Sequence, residues 1–191
     1  LAFDSTTDGL ISGSWDSTLR LWPLAELSAP GVQMFLPRHG GHVLSVASSV
    51  DGHFVASAGI DRTIRIVEPA AGTSVATLRG HEGAVYSVRF SPDGTLLASA
   101  SEDGTVRLWS LLNGECLAPL EGPGGTLWTV AFSADGLRLA AAGEEGRVIV
   151  WDVESRTTER VFTAHEDRII RMAFSPDGRT LATCGRDGLV K

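Results

Sequence analysis

Apolar residues along this chain either alternate with polar ones or run together over strand length, as at Val85–Phe90, Leu96–Ser101, Val106–Trp109 and Cys116–Leu120. Both patterns are strand signatures, and no stretch carries a convincing helical period. Two kinds of turn separate the runs. One is Ser-Pro-Asp-Gly at 91–94 and 175–178, with Ser-Ala-Asp-Gly at 133–136 and Ser-Val-Asp-Gly at 49–52. Pro pre-sets one backbone angle there and Gly tolerates positive φ. The other is Asp103-Gly104, Glu145-Gly146 and Asp187-Gly188, the signal of a tight type I′ hairpin loop. Without crossover helices the strands must pair antiparallel. The pattern predicts an all-β chain with four short strands per unit.

The units repeat at a fixed interval. An acidic residue recurs in matching surroundings at Asp61, Asp103, Glu145 and Asp187, every 42 residues, and Asp16 stands 45 residues before Asp61. Six residues after the acids come Trp22, Val67, Trp109 and Trp151, while Phe90, Phe132 and Phe174 share a second register that Phe3 joins after a three-residue insertion. Such a period marks stacked supersecondary units. The insertion falls in the 23–38 connection with Pro23, Pro30 and Pro37, which reads as a variable loop and not a domain boundary.

Gly80-His81, the Ser-Pro-Asp-Gly turn at 91–94 and the run Ser-Ala-Ser-Glu-Asp-Gly-Thr-Val-Arg-Leu-Trp at 99–109 resemble the WD40 repeat family, and the resemblance covers essentially the whole chain. It implies a β-propeller built of four-stranded antiparallel blades. The chain is expected to form one repeat domain over 1–191: a partial blade at 1–38, blades at 39–80, 81–122 and 123–164, and a partial blade at 165–191. That makes a partial ring of four or five blades. The family most often resembles a seven-bladed ring, which needs roughly 300 residues at this period. The chain is therefore expected to be a fragment of a larger propeller, with further blades or domains of the same full-length protein as partners; the alternative is a ring of four or five blades.

The resemblance also implies a buried hydrogen-bonded set in each blade, linking Trp, Ser or Thr, His and Asp. Spacing assigns the histidine: Gly41-His42 looks like the family's Gly-His pair, but His39 stands 42 residues before His81, and His165 stands 84 residues after it. The sets are then Trp109, Ser99, His81 and Asp103; Ser57, His39 and Asp61, with Val67 in place of Trp; and Thr183, His165 and Asp187. The 122–151 unit departs, with Pro123 for His, Ala141 for Ser and Glu145 for Asp beside a retained Trp151. Losing one member of such a network strands the others at about 1–3 kcal/mol each, so their joint loss avoids most of the penalty. This blade is expected to rely on apolar packing and to have a looser 122–126 entry loop.

Ser99, His81 and Asp103 are also the residue types of a hydrolase triad, but a catalytic site needs one exposed nucleophile with an oxyanion hole. Types recurring in register read as scaffolding. No Cys cluster or carboxylate array completes a metal site around His39 and His42, and no phosphate-binding or calcium-loop motif is present. The expectation is no enzyme activity, no cofactor and no metal. A net charge of −7 argues against nucleic-acid partners, whose binding needs a basic surface. No apolar run is long enough for a membrane span. Two lone cysteines, Cys116 and Cys184 in different units, favour a reducing, cytoplasmic setting.

The resemblance implies that partners dock on the face bearing the inter-blade and second hairpin loops. Positions three and five after the histidine, and the one before the acid, are expected to face it: His42, Leu44 and Ile60; Ala84, Tyr86 and Glu102; Thr126, Trp128 and Glu144; Arg168, Ile170 and Arg186; and Trp15 in the first unit. Aromatic and Arg residues dominate interface hot spots. Trp15, His42, Ile60, Tyr86, Glu102, Trp128, Glu144, Arg168 and Arg186 are thus the candidate partner-binding residues, whereas Trp22, Trp109, Trp151 and the three registered Phe residues read as core. The expected function is a non-enzymatic scaffold for protein or peptide partners. The alternative is a sensory or regulatory propeller module of a larger kinase or NTPase.

Overall fold

The computed structural model describes residues 1–4, 9–23, 34–36 and 38–191. These residues are all-β. The first sheet contains β1 (Ala2–Asp4), β2 (Gly9–Gly13), β3 (Leu19–Pro23) and β4 (Met34–Leu36). The second contains β5 (Val43–Ser48), β6 (Val55–Gly59), β7 (Ile64–Glu68) and β8 (Thr73–Leu78). The third contains β9 (Val85–Phe90), β10 (Leu96–Ser101), β11 (Thr105–Ser110) and β12 (Cys116–Glu121). The fourth contains β13 (Leu127–Phe132), β14 (Arg138–Gly143), β15 (Arg147–Asp152) and β16 (Thr158–Thr163), and the fifth pairs β17 (Ile169–Phe174) with β18 (Leu181–Gly185). Every pairing is antiparallel, and within each sheet a strand neighbours the next in sequence. No sheet closes on itself. No helix among the described residues is long and apolar enough to cross a membrane.

The sequence reading puts only part of a blade at 1–38, yet four strands pair there, the first only three residues long. Pro30 and Pro37 of the 23–38 connection lie outside the described residues, as does the side chain of Phe3. The hairpins at the recurring acid differ from the expected type I′ turn, which needs positive φ at both central residues. Gly104 N–H closes on the Ser101 carbonyl at 3.3 Å, and Gly104 is left-handed at φ 79° while Asp103 is not. Arg62 takes the corresponding place after Asp61 at φ 64°, and Ser17 after Asp16 at φ 72°, conformations uncommon for residues other than Gly.

The core lies between sheets. Ala56, Ile64, Ile66 and Leu78 of the second sheet meet Val88, Phe90, Leu97 and Trp109 of the third. Ala98, Val106, Leu108 and Leu120 of the third meet Leu127, Leu139, Ile149 and Trp151 of the fourth. Successive side chains of a strand face opposite sides, so β14 sends Leu139 and Ala141 toward the third sheet and Ala140 and Ala142 toward the fifth. This two-sided burial explains why its inner strands read as apolar runs. The first strands of neighbouring sheets are also stitched by hydrogen bonds. Ser45 Oγ accepts from Val88 N–H at 3.3 Å, and Ser87 Oγ, one unit on, accepts from Val130 N–H at 3.4 Å.

The fourth sheet forms all its strands without the polar set. Ala141 is fully buried and Trp151 packs into the apolar interface. Its entry loop is tied by Gly122 N–H to Gly104 O at 3.0 Å and by exposed Arg147 Nη1 to Pro123 O at 3.1 Å. In the second and third sheets the residue after the histidine instead donates to the acid, Gly40 N–H to Asp61 Oδ2 at 2.7 Å and Glu82 N–H to Asp103 Oδ2 at 2.9 Å. Hydrogen exchange followed by mass spectrometry should therefore show faster exchange in 122–126 than in 80–84; equal protection of the two loops would contradict this account of the fourth sheet.

Candidate functional site

The acid-bearing hairpins and the loops entering each sheet come together at one end of the sheets. Beneath them lie the polar sets. Trp109 Nε1 donates to Ser99 Oγ at 2.9 Å, Ser99 Oγ lies 2.7 Å from His81 Nε2, and His81 Nδ1 lies 2.7 Å from Asp103 Oδ2. His39 sits 2.8 Å from Ser57 Oγ and 3.0 Å from Asp61 Oδ1. His165 sits 2.9 Å from Thr183 Oγ1 and 2.9 Å from Asp187. A neutral ring donating from Nδ1 and accepting at Nε2 satisfies every contact. These connections have the order of a catalytic triad, but Ser57 and Ser99 are fully buried. Sequence reasoning did not include the threonines two residues after the acids: Thr63 Oγ1 donates to Asp61 at 2.8 Å and Thr105 Oγ1 to Asp103 at 2.7 Å. Their recurrence at one offset was the available signal.

Burial pushes the Asp103 carboxyl up, but hydrogen bonds from His81, Thr105 and Glu82 N–H outweigh it and hold the group at about 2. Burial likewise raises Asp61, and bonds from His39, Gly40 N–H and Thr63 bring it to about 2. Burial lowers His81 and His39 below the ordinary histidine range, against the raising effect of their aspartates.

Above these sets, the first strand of four sheets carries a one-residue register shift. The pairing passes from Val43–Gly59 to Ser45–Ala58, skipping Leu44. It skips Tyr86 in β9, Trp128 in β13 and Ile170 in β17 in the same way. Each bulge is clamped by the residue before the acid: Ile60 N–H donates to His42 O, Glu102 to Ala84 O, Glu144 to Thr126 O and Arg186 to Arg168 O, at 2.9–3.0 Å. A bulge leaves its residue outside the ladder and re-aims the side chain. This is the physical basis of the face positions, and it was not readable from spacing alone.

Two groups of candidate residues touch. The Tyr86 and Trp128 ring centroids lie 4.3 Å apart, tilted by 43°. Arg168 Cζ stands 5.7 Å over the Trp128 ring, and its Nη2 lies 3.8 Å from Glu144 Oε1. Farther along, Trp15 stacks on His42 with centroids 5.3 Å apart and planes within 5°. Trp15 is 76% exposed and Ile60, lying over Gly41, is 52% exposed. Glu102 and Arg186 are exposed; Glu102 Oε2 accepts from Ala84 N–H at 3.1 Å. Ala84 itself departs from the expected outward position. It is buried, because its methyl group is too short to extend past the Glu102 side chain bonded across it.

Four-stranded antiparallel blades packed side by side define a repeat protein of the propeller class. The family model described as "WD domain, G-beta repeat" matches residues 1–23, 32–68, 72–110, 114–152 and 156–191, and the chain belongs to this WD40 family. A search among curated proteins finds no match to the chain. The matched segments are out of phase with the sheets: 72–110 begins with β8 of the second sheet and continues through β9–β11 of the third.

Two outcomes follow for the polar sets. Ser99→Ala strands both His81 and Trp109, whereas Ser57→Ala strands only His39; denaturant unfolding should show a loss of about 2–6 kcal/mol for the first and about 1–3 kcal/mol for the second. Equal losses would break the link to Trp109. The folded-state pKa values of His39, His81, Asp61 and Asp103 all lie below their unfolded values, so the unfolded chain binds more protons in acid. Stability is full above about pH 6.5, falls as unfolded histidines protonate, and falls further between about pH 4 and 2. Thermal melts across this range should show a melting temperature that falls as the pH is lowered; a flat profile from pH 7 to 5 would exclude the histidine contribution.

Proposed function

We propose that this WD40 chain is a non-enzymatic scaffold that binds protein or peptide partners on its loop-bearing face. WD40 repeats are interaction modules in kind. The finer reading assigns contact to Trp15, His42, Ile60, Tyr86, Glu102, Trp128, Glu144, Arg168 and Arg186. The observation that carries it is the bulge that sets Tyr86 and Trp128 outside the ladders of adjacent sheets and against each other at 4.3 Å. Aromatic pairs already packed together lose little side-chain freedom on binding, so more of their contact free energy appears as affinity. Full burial of Ser57 and Ser99 supports a structural role for the triad-like sets. The net charge of −7 supports partners other than nucleic acid, and two free thiols support a cytoplasmic location.

Affinity capture from a lysate with the full-length protein tests this reading. The Tyr86→Ala, Trp128→Ala double variant should lose its captured partners by more than about 30-fold, the effect of a single hot-spot loss of about 2 kcal/mol. A control carrying Val75→Ser and Leu112→Ser, at exposed positions outside this face, should retain them. A folded double variant that captures the same partners as the parent would rule out this surface.

A further inference from the structure

The Tyr86–Trp128 pair lies in an acidic setting and already holds a cation. Glu102 and Glu144 stand on the acid hairpins of the same two sheets. The Tyr86 phenol is pushed up first by burial and then by the charges of Glu102 and Glu144, so the aromatic pair sits in a negative field. Arg168, from the next sheet, lies over Trp128 at 5.7 Å, the arrangement in which a guanidinium is attracted to the ring face.

Arg168 is loosely held there. Its guanidinium Nη2 lies 3.8 Å from Glu144 Oε1 and its Nε 3.9 Å from Asp167 Oδ1, both beyond direct hydrogen-bond length. Its Nε is buried without a hydrogen-bond partner within the chain, and so is Trp128 Nε1. Buried donors without acceptors are costly. The site therefore attracts a guanidinium, yet leaves both that group and the indole beneath it incompletely bonded.

We propose that Tyr86, Trp128, Glu102 and Glu144 form a receptor for an arginine side chain of a partner peptide, and that Arg168 is its displaceable occupant in the free protein. This rests on the reading of the loop-bearing face as the partner-binding surface, and it changes the role of Arg168 there from a contact to an occupant that the partner displaces. Arginine fits better than lysine because its planar group stacks on aromatic faces and offers forked donors to carboxylates. An incoming peptide also brings backbone carbonyls, the acceptors that the buried Trp128 Nε1 lacks. Displaced Arg168 loses only a partly exposed pairing, its side chain being 33% exposed and that of Glu144 42% exposed.

The probes are three labelled peptides of Gly and Ser around one central arginine, citrulline or glutamate, titrated against the intact protein by fluorescence anisotropy. The arginine peptide should bind about tenfold or more tightly than the citrulline peptide, which keeps the shape but loses the charge. Arg168→Ala should tighten arginine-peptide binding several-fold by vacating the site, and Glu144→Gln or Glu102→Gln should weaken it. These exposed, near-isosteric glutamate changes keep the test valid even where Trp128→Ala fails to fold. Equal binding of the citrulline peptide, preference for the glutamate peptide, or weaker or unchanged binding by Arg168→Ala would each overturn the proposal. Capture that still depends on Tyr86 and Trp128 while the arginine peptide does not bind would reject this inference and leave the face reading standing; capture independent of both residues would reject the face reading itself.

Discussion

Apolar contact between neighbouring sheets is the constraint on which everything else in this chain depends. A blade of four short strands is too thin to enclose a core, and both of its faces are hydrophobic. Leu97 and Trp109 of the third sheet are covered by the second, while Val106 and Leu108 of the same sheet are covered by the fourth. Burying an aliphatic side chain of this size stabilises by about 1.5–3 kcal/mol, and here each such gain requires the adjacent unit. Stability in such an array is a sum of neighbour interfaces more than a property of any one blade.

Polar bonding refines that frame. The sets of His81 and His39 pin the hairpin end of their sheets, joining strands that are distant in sequence through one buried ring. The fourth sheet shows that the apolar interface can hold four strands without them: Ala140, Ala141 and Ala142 are all fully buried in β14. Above both kinds of sheet the same bulge recurs. Its position is fixed by backbone pairing, which leaves the residue at the bulge free to vary as Leu44, Tyr86, Trp128 and Ile170. The backbone bulge is thus constant across these four sheets while the side chain it carries changes from one to the next.

Much of this was legible because repetition turns one sequence into several aligned ones. The 42-residue step separates His39 from the adjacent Gly41-His42 pair, and it is His39 that bonds Ser57 and Asp61 while His42 stacks on Trp15. Register could not say how Asp103-Gly104 turns, since that dipeptide suits both a type I′ loop and a turn with only Gly104 left-handed. It could not place Ala84 either, because burial there depends on how the Glu102 side chain folds back. Nor could it bring Arg168 over Trp128, a contact between sheets set by side-chain torsions. Long-range side-chain placement leaves no periodic trace.

The phase difference between the family repeat and the sheet has its own consequence. Residues 156–191 form one matched segment, yet their first strand, β16, completes the fourth sheet, and only β17 and β18 belong to the fifth. The segment that carries the family's sequence pattern is therefore not the unit that folds. A segment added or removed in the phase of the matched pattern would splice into two blades at once, giving an outer strand to the old neighbour and inner strands to the new one. A unit inserted in that phase arrives already fastened to the blade before it.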